Sequence, residues 1–159
     1  MDFSTADLWD AHHALINVCD AQFRGFGLRR RFSGACVTIK TPGDHRQVRA
    51  LAVTPGEGRV IVVDGGSKMQ VALLGDRIAT AAMANGWAGI IAFGAIRDTA
   101  TIDAMNFGVK ALGTIARRAE TEVGGETDII LSVAGVTIRP GDWIYADADA
   151  VVVSPKRLA

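Results

Sequence analysis

Only two cysteines, Cys19 and Cys36, occur in 159 residues, too few for the disulfide framework of a small secreted domain. The start is equally bare. Met1-Asp2-Phe3-Ser4 lacks the basic opening and apolar run of a signal peptide, so the expected location is the cytoplasm. No apolar stretch approaches the roughly 20 residues that span a bilayer, because glycine, charge or turn residues interrupt every run. No membrane partner is expected. Net charge is missing too: 17 basic residues face 17 acidic ones, so no overall field gathers nucleic acid. No nucleic-acid partner is expected either. Asp64-Gly65-Gly66-Ser67-Lys68-Met69 lacks P-loop spacing, no GxGxxG follows the preceding strand, and no serine or cysteine sits in a nucleophile elbow. Nucleotide binding is set aside.

What is present is a core-forming composition. With 49% hydrophobic and 21% charged residues, the chain reads as one α/β domain, residues 1–159, with a β-rich C-terminal half. Eighteen glycines without a period indicate many tight turns between short elements.

In chain order, Ser4-Thr5 with Asp7 signals a helix start, and Leu8, Ala11, Leu15 with Trp9 and Ile16 extend a helical spacing from about Thr5 to Cys19. His12 and His13 are neighbours, so on a helix they point about 100° apart and cannot readily share a metal ion. They read as surface or interface histidines. Gly25 and Gly27 mark a turn before a strand within Leu28 to Thr41, closed by Pro42-Gly43. Arg29-Arg30-Arg31, the densest basic run, reads as a solvated face. A short helix from Asp44 to about Val53 follows. Further on come a short polar turn or helix, Thr99 to Met105, and strands at Val109–Ile115, Ile129–Val133, Val136–Ile138, Trp143–Ala146 and Ala150–Val153, separated by glycine-containing turns.

The organising stretch is Val60 to Asp98. A strand, Val60 to Asp64, breaks at Gly65-Gly66; Leu73-Leu74-Gly75-Asp76 leads into a helix from Arg77 to Asn85; and a second strand, Gly89 to Gly94, delivers Arg97-Asp98 to its carboxyl end. Apolar strands that bracket a helix and end on glycine and polar groups build an anion pocket. Arg97 presents a planar fork of donors suited to a carboxylate. Asp76 has an N-capping role to play, and the same turn offers free amides from Gly75 to Ile78. Asp98 is the group a hard cation would use, since Mg²⁺ keeps several waters and takes one or two protein carboxylates; no His/Cys/Glu cluster suggests zinc.

These residues also resemble a known family, the RraA-like proteins. The likeness runs over almost the whole chain: Thr5-Ala6-Asp7-Leu8, Val62-Val63-Asp64-Gly65-Gly66, Gly75-Asp76, Gly94-Ala95-Ile96-Arg97-Asp98, Gly108 to Gly113, Gly135-Val136-Thr137, Pro140-Gly141-Asp142 and Tyr145-Ala146-Asp147. The family unites the regulator of ribonuclease activity A, once mislabelled as a menaquinone-pathway methyltransferase, with metal-dependent 4-hydroxy-4-methyl-2-oxoglutarate aldolases. The resemblance implies a swivelling β/β/α fold and a ring-shaped homotrimer or a pair of trimers. Aldolase-type members look like Asp, twenty residues, Arg-Asp, which Asp76 and Arg97-Asp98 match. On that likeness Arg97 binds the carboxylate of a pyruvoyl group with the amides of Gly75, Asp76, Arg77 and Ile78. Asp98 holds Mg²⁺ or Mn²⁺, and Asp76 orients a water on that ion as acid or base. The implied activity is cleavage of a small 2-oxo acid, 4-hydroxy-4-methyl-2-oxoglutarate, into two pyruvates, with oxaloacetate decarboxylation as a second outcome. The rival implication is a non-catalytic regulator that binds ribonuclease E. Two positions depart from the family: Ala150 replaces a usual glycine, and Thr114 to Gly125 lacks a usual proline.

Overall fold

A computed structural model describes residues 2–159. Along the chain run α1 (Thr5–His12), β1 (Asn17–Val18), β2 (Arg24–Phe26), β3 (Phe32–Lys40), α2 (Arg46–Ala52), β4 (Val60–Asp64), α3 (Asp76–Ala84) and β5 (Gly89–Ile96). Then follow α4 (Thr99–Asp103), β6 (Val109–Thr114), β7 (Glu126–Thr127), β8 (Leu131–Val133), β9 (Val136–Ile138), β10 (Trp143–Ala146) and β11 (Val151–Ser154).

The long strand β3 joins two sheets. Its first half, Phe32 to Ala35, pairs antiparallel with β10, while Cys36 to Lys40 pairs parallel with β4. Parallel pairing continues from β4 to β5 and from β5 to β6, and the full order is β1-β11-β10-β3-β4-β5-β6-β2, with β7 on β3. Every residue of β4 and β5 is buried, as parallel strands covered on both faces must be. Alternation sends Ile61, Val63, Ile90, Ala92 and Ile96 to one face, where they pack with Val48, Ala52, Ile78, Ala79 and Ala82 of α2 and α3. Val60, Val62, Ile91 and Phe93 go to the other face, against Leu131, Val136, Ile138, Ile144 and Val151 of the second sheet and the β8–β9 hairpin. The layers are therefore helix, sheet and sheet, the swivelling β/β/α arrangement. A third cluster, Phe3, Leu8, Ile16, Tyr145 and Val152, fastens α1 to the outside. No helix among the described residues is long and apolar enough to cross a membrane.

Three local expectations need correction. The first helix stops at His12 rather than Cys19, because Asn17 and Val18 gain backbone partners on β11 and the Cys19 amide donates to Val151. Strand pairing outweighs helical spacing, and Leu15 and Trp9 are left exposed. The Gly25 turn is the short edge strand β2, held by β6. The strand expected from Ile129 begins at Leu131, since the Thr38 hydroxyl donates to the Ile129 carbonyl at 2.5 Å and Ile130 faces solvent. Ala150 is not among the residues with positive φ, so its backbone has no need of glycine.

Candidate active site

The site lies where β5 ends. The segment before α3 runs beside that end as a partial extra strand: the Leu73 amide donates to Ala95 at 2.8 Å, and the Arg97 amide donates back to Leu74 at 3.1 Å. These two bonds fix the start of α3 next to Arg97 and Asp98. Gly75 is the N-cap, with no side-chain cap, and Asp76 is the first helical residue. The expectation of Asp76 as the cap gives way to a different arrangement. Asp98, with φ of 59° in the left-handed region, turns its carboxylate onto the helix start, where Oδ2 accepts the Asp76 amide at 3.2 Å. A carboxylate is favourable at that end, where the helix dipole and open donors meet. Gly75 allows the approach. A Cβ there would stand 2.4 Å from Asp98 Oδ2 and 3.2 Å from Arg97 Cγ.

One cleft of about 540 Å³ gathers Gly75, Asp76, Arg77, Ile78, Arg97 and Asp98. All six residues expected from the sequence share this wall. Arg97 is held at two points: Nη1 donates to the Ala116 carbonyl at 3.3 Å, and Nε lies 3.8 Å from Asp98 Oδ2. Its side chain is about one-third exposed, at 35%, so the guanidinium keeps donors for a ligand. Among the described residues, the amides of Gly75, Arg77 and Ile78 have no hydrogen-bond partner. Asp98 Oδ1 and the Asp76 carboxylate also accept nothing there.

Sequence reasoning missed His45, Arg49 and Arg118, which line the same cleft. The only local hint is the four-residue step from His45 to Arg49, which places both on one helix face. Arg118 arrives by a longer route. The loop after β6 is tied down by Asp44, a fully buried carboxylate that accepts the amides of Arg46 (3.0 Å), Val123 (2.8 Å) and Gly124 (3.3 Å) and Arg46 Nη1 (2.9 Å). Burial alone would raise the Asp44 pKa, but these bonds bring it down to about 2. His45 is buried and its pKa is lowered, first by desolvation and then by Arg46, with Arg118 and Arg49 adding to the effect.

A cation fits the donor set in one form only. Among the described residues no group of three His, Cys, Asp or Glu side chains converges, which suits a hard ion that keeps its waters and takes one carboxylate oxygen, Asp98 Oδ1 being free for it.

The chain as a whole is similar to known proteins. A sequence profile of the RraA-like family, described as Aldolase/RraA, matches residues 5–153. A Paraburkholderia phymatum protein, provisionally named 4-hydroxy-4-methyl-2-oxoglutarate aldolase, is 44% identical over 159 residues, covering 97% of each chain. A solved structure from Geobacillus kaustophilus, described as S-adenosylmethionine:2-dimethylmenaquinone methyltransferase, is similar with TM-score 0.95 and 44% identity over 98% of this chain and 97% of that one. The RNA-processing inhibitor RraA from Thermus thermophilis is similar with TM-score 0.94 and 34% identity over 100% of this chain and 96% of its own. The shared fold and a match over nearly the full length place this chain in the RraA-like family.

Proposed function

We propose that this protein is a divalent-metal-dependent lyase that splits 4-hydroxy-4-methyl-2-oxoglutarate into two pyruvates and decarboxylates oxaloacetate at the same site. The observation that supports this reading is the convergence of Arg97, Asp98 and the open start of α3 on one cleft. Arg97 and the amides of Gly75, Arg77 and Ile78 bind the carboxylate next to the keto group, in the manner of an anion on a helix start. Asp98 holds Mg²⁺ or Mn²⁺, which when bound supplies a Lewis acid for the keto oxygen. Asp76, through a water, takes the proton from the C4 hydroxyl as the C3–C4 bond breaks and its electron pair passes to the pyruvoyl unit. The same carboxylate returns the proton to C3, so two pyruvates leave. With oxaloacetate, CO₂ departs from C3 and the proton delivered there comes from water.

A lactate-dehydrogenase-coupled assay for pyruvate, run with Mg²⁺ and then with a chelator, tests the reading. Metal-dependent pyruvate from both substrates is expected; no pyruvate from either one would end it. A second reading is a regulator that binds ribonuclease E, and the likeness to the Thermus inhibitor favours it. A pull-down with ribonuclease E beside the assay separates the two. The assembly we propose is a homotrimer or a pair of trimers. The exposed Trp9, Leu28, Val53, Val123 and Ile130 supply apolar surface for such contacts, and sedimentation velocity reads the state. Two free, buried thiols accord with a cytoplasmic location.

A further inference from the structure

The hydrogen bond that fixes the Arg97 guanidinium leads out of the cleft. Nη1 donates to the Ala116 carbonyl at 3.3 Å, so the fork points where Ala116 allows. Ala116 lies just past the end of β6 at Thr114, outside the regular strand, and has to be held by other means. On one side the Ile115 amide donates to the Ile96 carbonyl at 3.0 Å, which ties the loop to the end of β5. On the other side Arg117 grips the segment before α3 at two points. Its carbonyl accepts the Ala72 amide at 2.7 Å, and its Nη1 donates to the Gln70 carbonyl at 3.3 Å. The same segment continues to Leu73 and Leu74, which bond Ala95 and the Arg97 amide. A closed circuit results, from Arg97 through Ala116, Arg117 and the segment Gln70 to Leu74, back to Arg97. Among the described residues no hydrogen bond holds residues 118–122, so Arg117 is the last peg before an unbonded stretch. Its side chain has no carboxylate within ion-pair distance there either, which leaves the bond to Gln70 as its direct use.

We infer that Arg117 is a positioning residue: by pegging the loop after β6 to the segment before α3, it holds the Ala116 carbonyl where that carbonyl orients the Arg97 fork. This rests on the lyase reading, in which Arg97 takes the carboxylate next to the keto group. Arg117 is not among the residues that line the cleft, so it acts through Arg97 and not on the ligand. A guanidinium already held at the right angle loses less rotamer freedom when the ligand arrives, and it meets both carboxylate oxygens at once.

The test is a double-mutant cycle between Arg117→Ala and Arg97→Lys, read as kcat/KM for oxaloacetate and as pyruvate affinity by calorimetry in MgCl₂. In the wild-type background Arg117→Ala should lower both by about threefold to tenfold, with a melting point within about 2 °C. In the Arg97→Lys background, where no fork remains to be oriented, the same change should cost less than about twofold. Arg117→Lys, which still reaches toward Gln70 with a donor, should stay closer to the wild type than Arg117→Ala. An equal loss in both backgrounds marks a through-space charge effect or general loosening, since the lysine is also a cation, and overturns the positioning role. No loss in the wild-type background overturns it too. If no pyruvate is released while its affinity shows the coupling, the lyase reading falls and the positioning role stands. If turnover is present without the coupling, the positioning role alone falls. A wild type that neither binds nor releases pyruvate overturns both.

Discussion

Asp44, just before α2, and Asp98, just after β5, are handled in opposite ways. Asp44 is fully buried and accepts four hydrogen bonds, three of them from backbone amides. Asp98 is 38% exposed, accepts one amide at 3.2 Å and leaves Oδ1 open. Asp147, which accepts both the amide and the hydroxyl of Thr5 and the amides of Asp149 and Ala150, follows the first pattern. The acids that hold the fold together have filled their acceptor positions from within the chain; the acids of the cleft have not. On the proposed reading, that difference separates a structural carboxylate from one kept for a ligand, where residue type alone does not.

The largest effect that sharpens this contrast belongs to the cleft. Arg97→Ala should lower kcat/KM for oxaloacetate by about 10³-fold, and Arg97→Lys should recover only part of it, because a point charge replaces a fork. Steady-state kinetics on both variants measure this, and full activity in the lysine protein would blur the contrast. Next in size is Asp44→Ala, which strands three amides and should cost about 2–4 kcal/mol of stability by urea unfolding.

Acid is a milder probe of the same distinction. Asp44 and Asp147 have folded-state pKa values below the ordinary carboxylate value, about 2 for Asp44. Their stabilising contribution is therefore complete above the unfolded value near 4 and is lost as pH falls through the folded one. His45 is also depressed. Below its unfolded value of about 6.5 the unfolded chain gains a proton that the folded ring refuses, so stability starts to decline there. Thermal melts should show a shallow decline from about pH 6.5 and a steep one from about pH 4 down to 2, with the shallow step missing in His45→Asn. The smallest expected effect is far from the cleft. Ser4 caps α1 through the Asp7 amide at 3.1 Å, and Ser4→Ala should cost about 1 kcal/mol with no change in kinetics.

How far these features could be read from the sequence follows from how local they are. The boundaries of β4 and α3 fall within one residue of the expected ones, and β5 runs two residues further. Strands buried on both faces read as unbroken apolar runs, and α3 carries Ile78, Ala79 and Ala82 toward the sheet. Gly75 to Ile78 and Arg97-Asp98 were legible because they immediately follow apolar segments that point to the same crevice. The edge strands β2 and β7 were not, since two or three residues carry no period and are held only by a partner strand. Arg118 was hidden for a similar reason. It sits on the loop after β6, where the Arg117 carbonyl accepts the Ala72 amide at 2.7 Å and Asp44 holds Val123 and Gly124, 79 and 80 residues away in the chain, and no local pattern announces such bonds.

The central claim is that Asp98 is kept open for chemistry while Asp44 is closed for structure. The most direct measurement is pyruvate release from oxaloacetate by Asp98→Asn in saturating Mg²⁺, with a thermal melt on the same sample. The account predicts a loss of about 10³-fold with a melting point within about 2 °C of the wild type. Wild-type turnover in Asp98→Asn, or a collapse of its melting point to match that of an Asp44 variant, would contradict it.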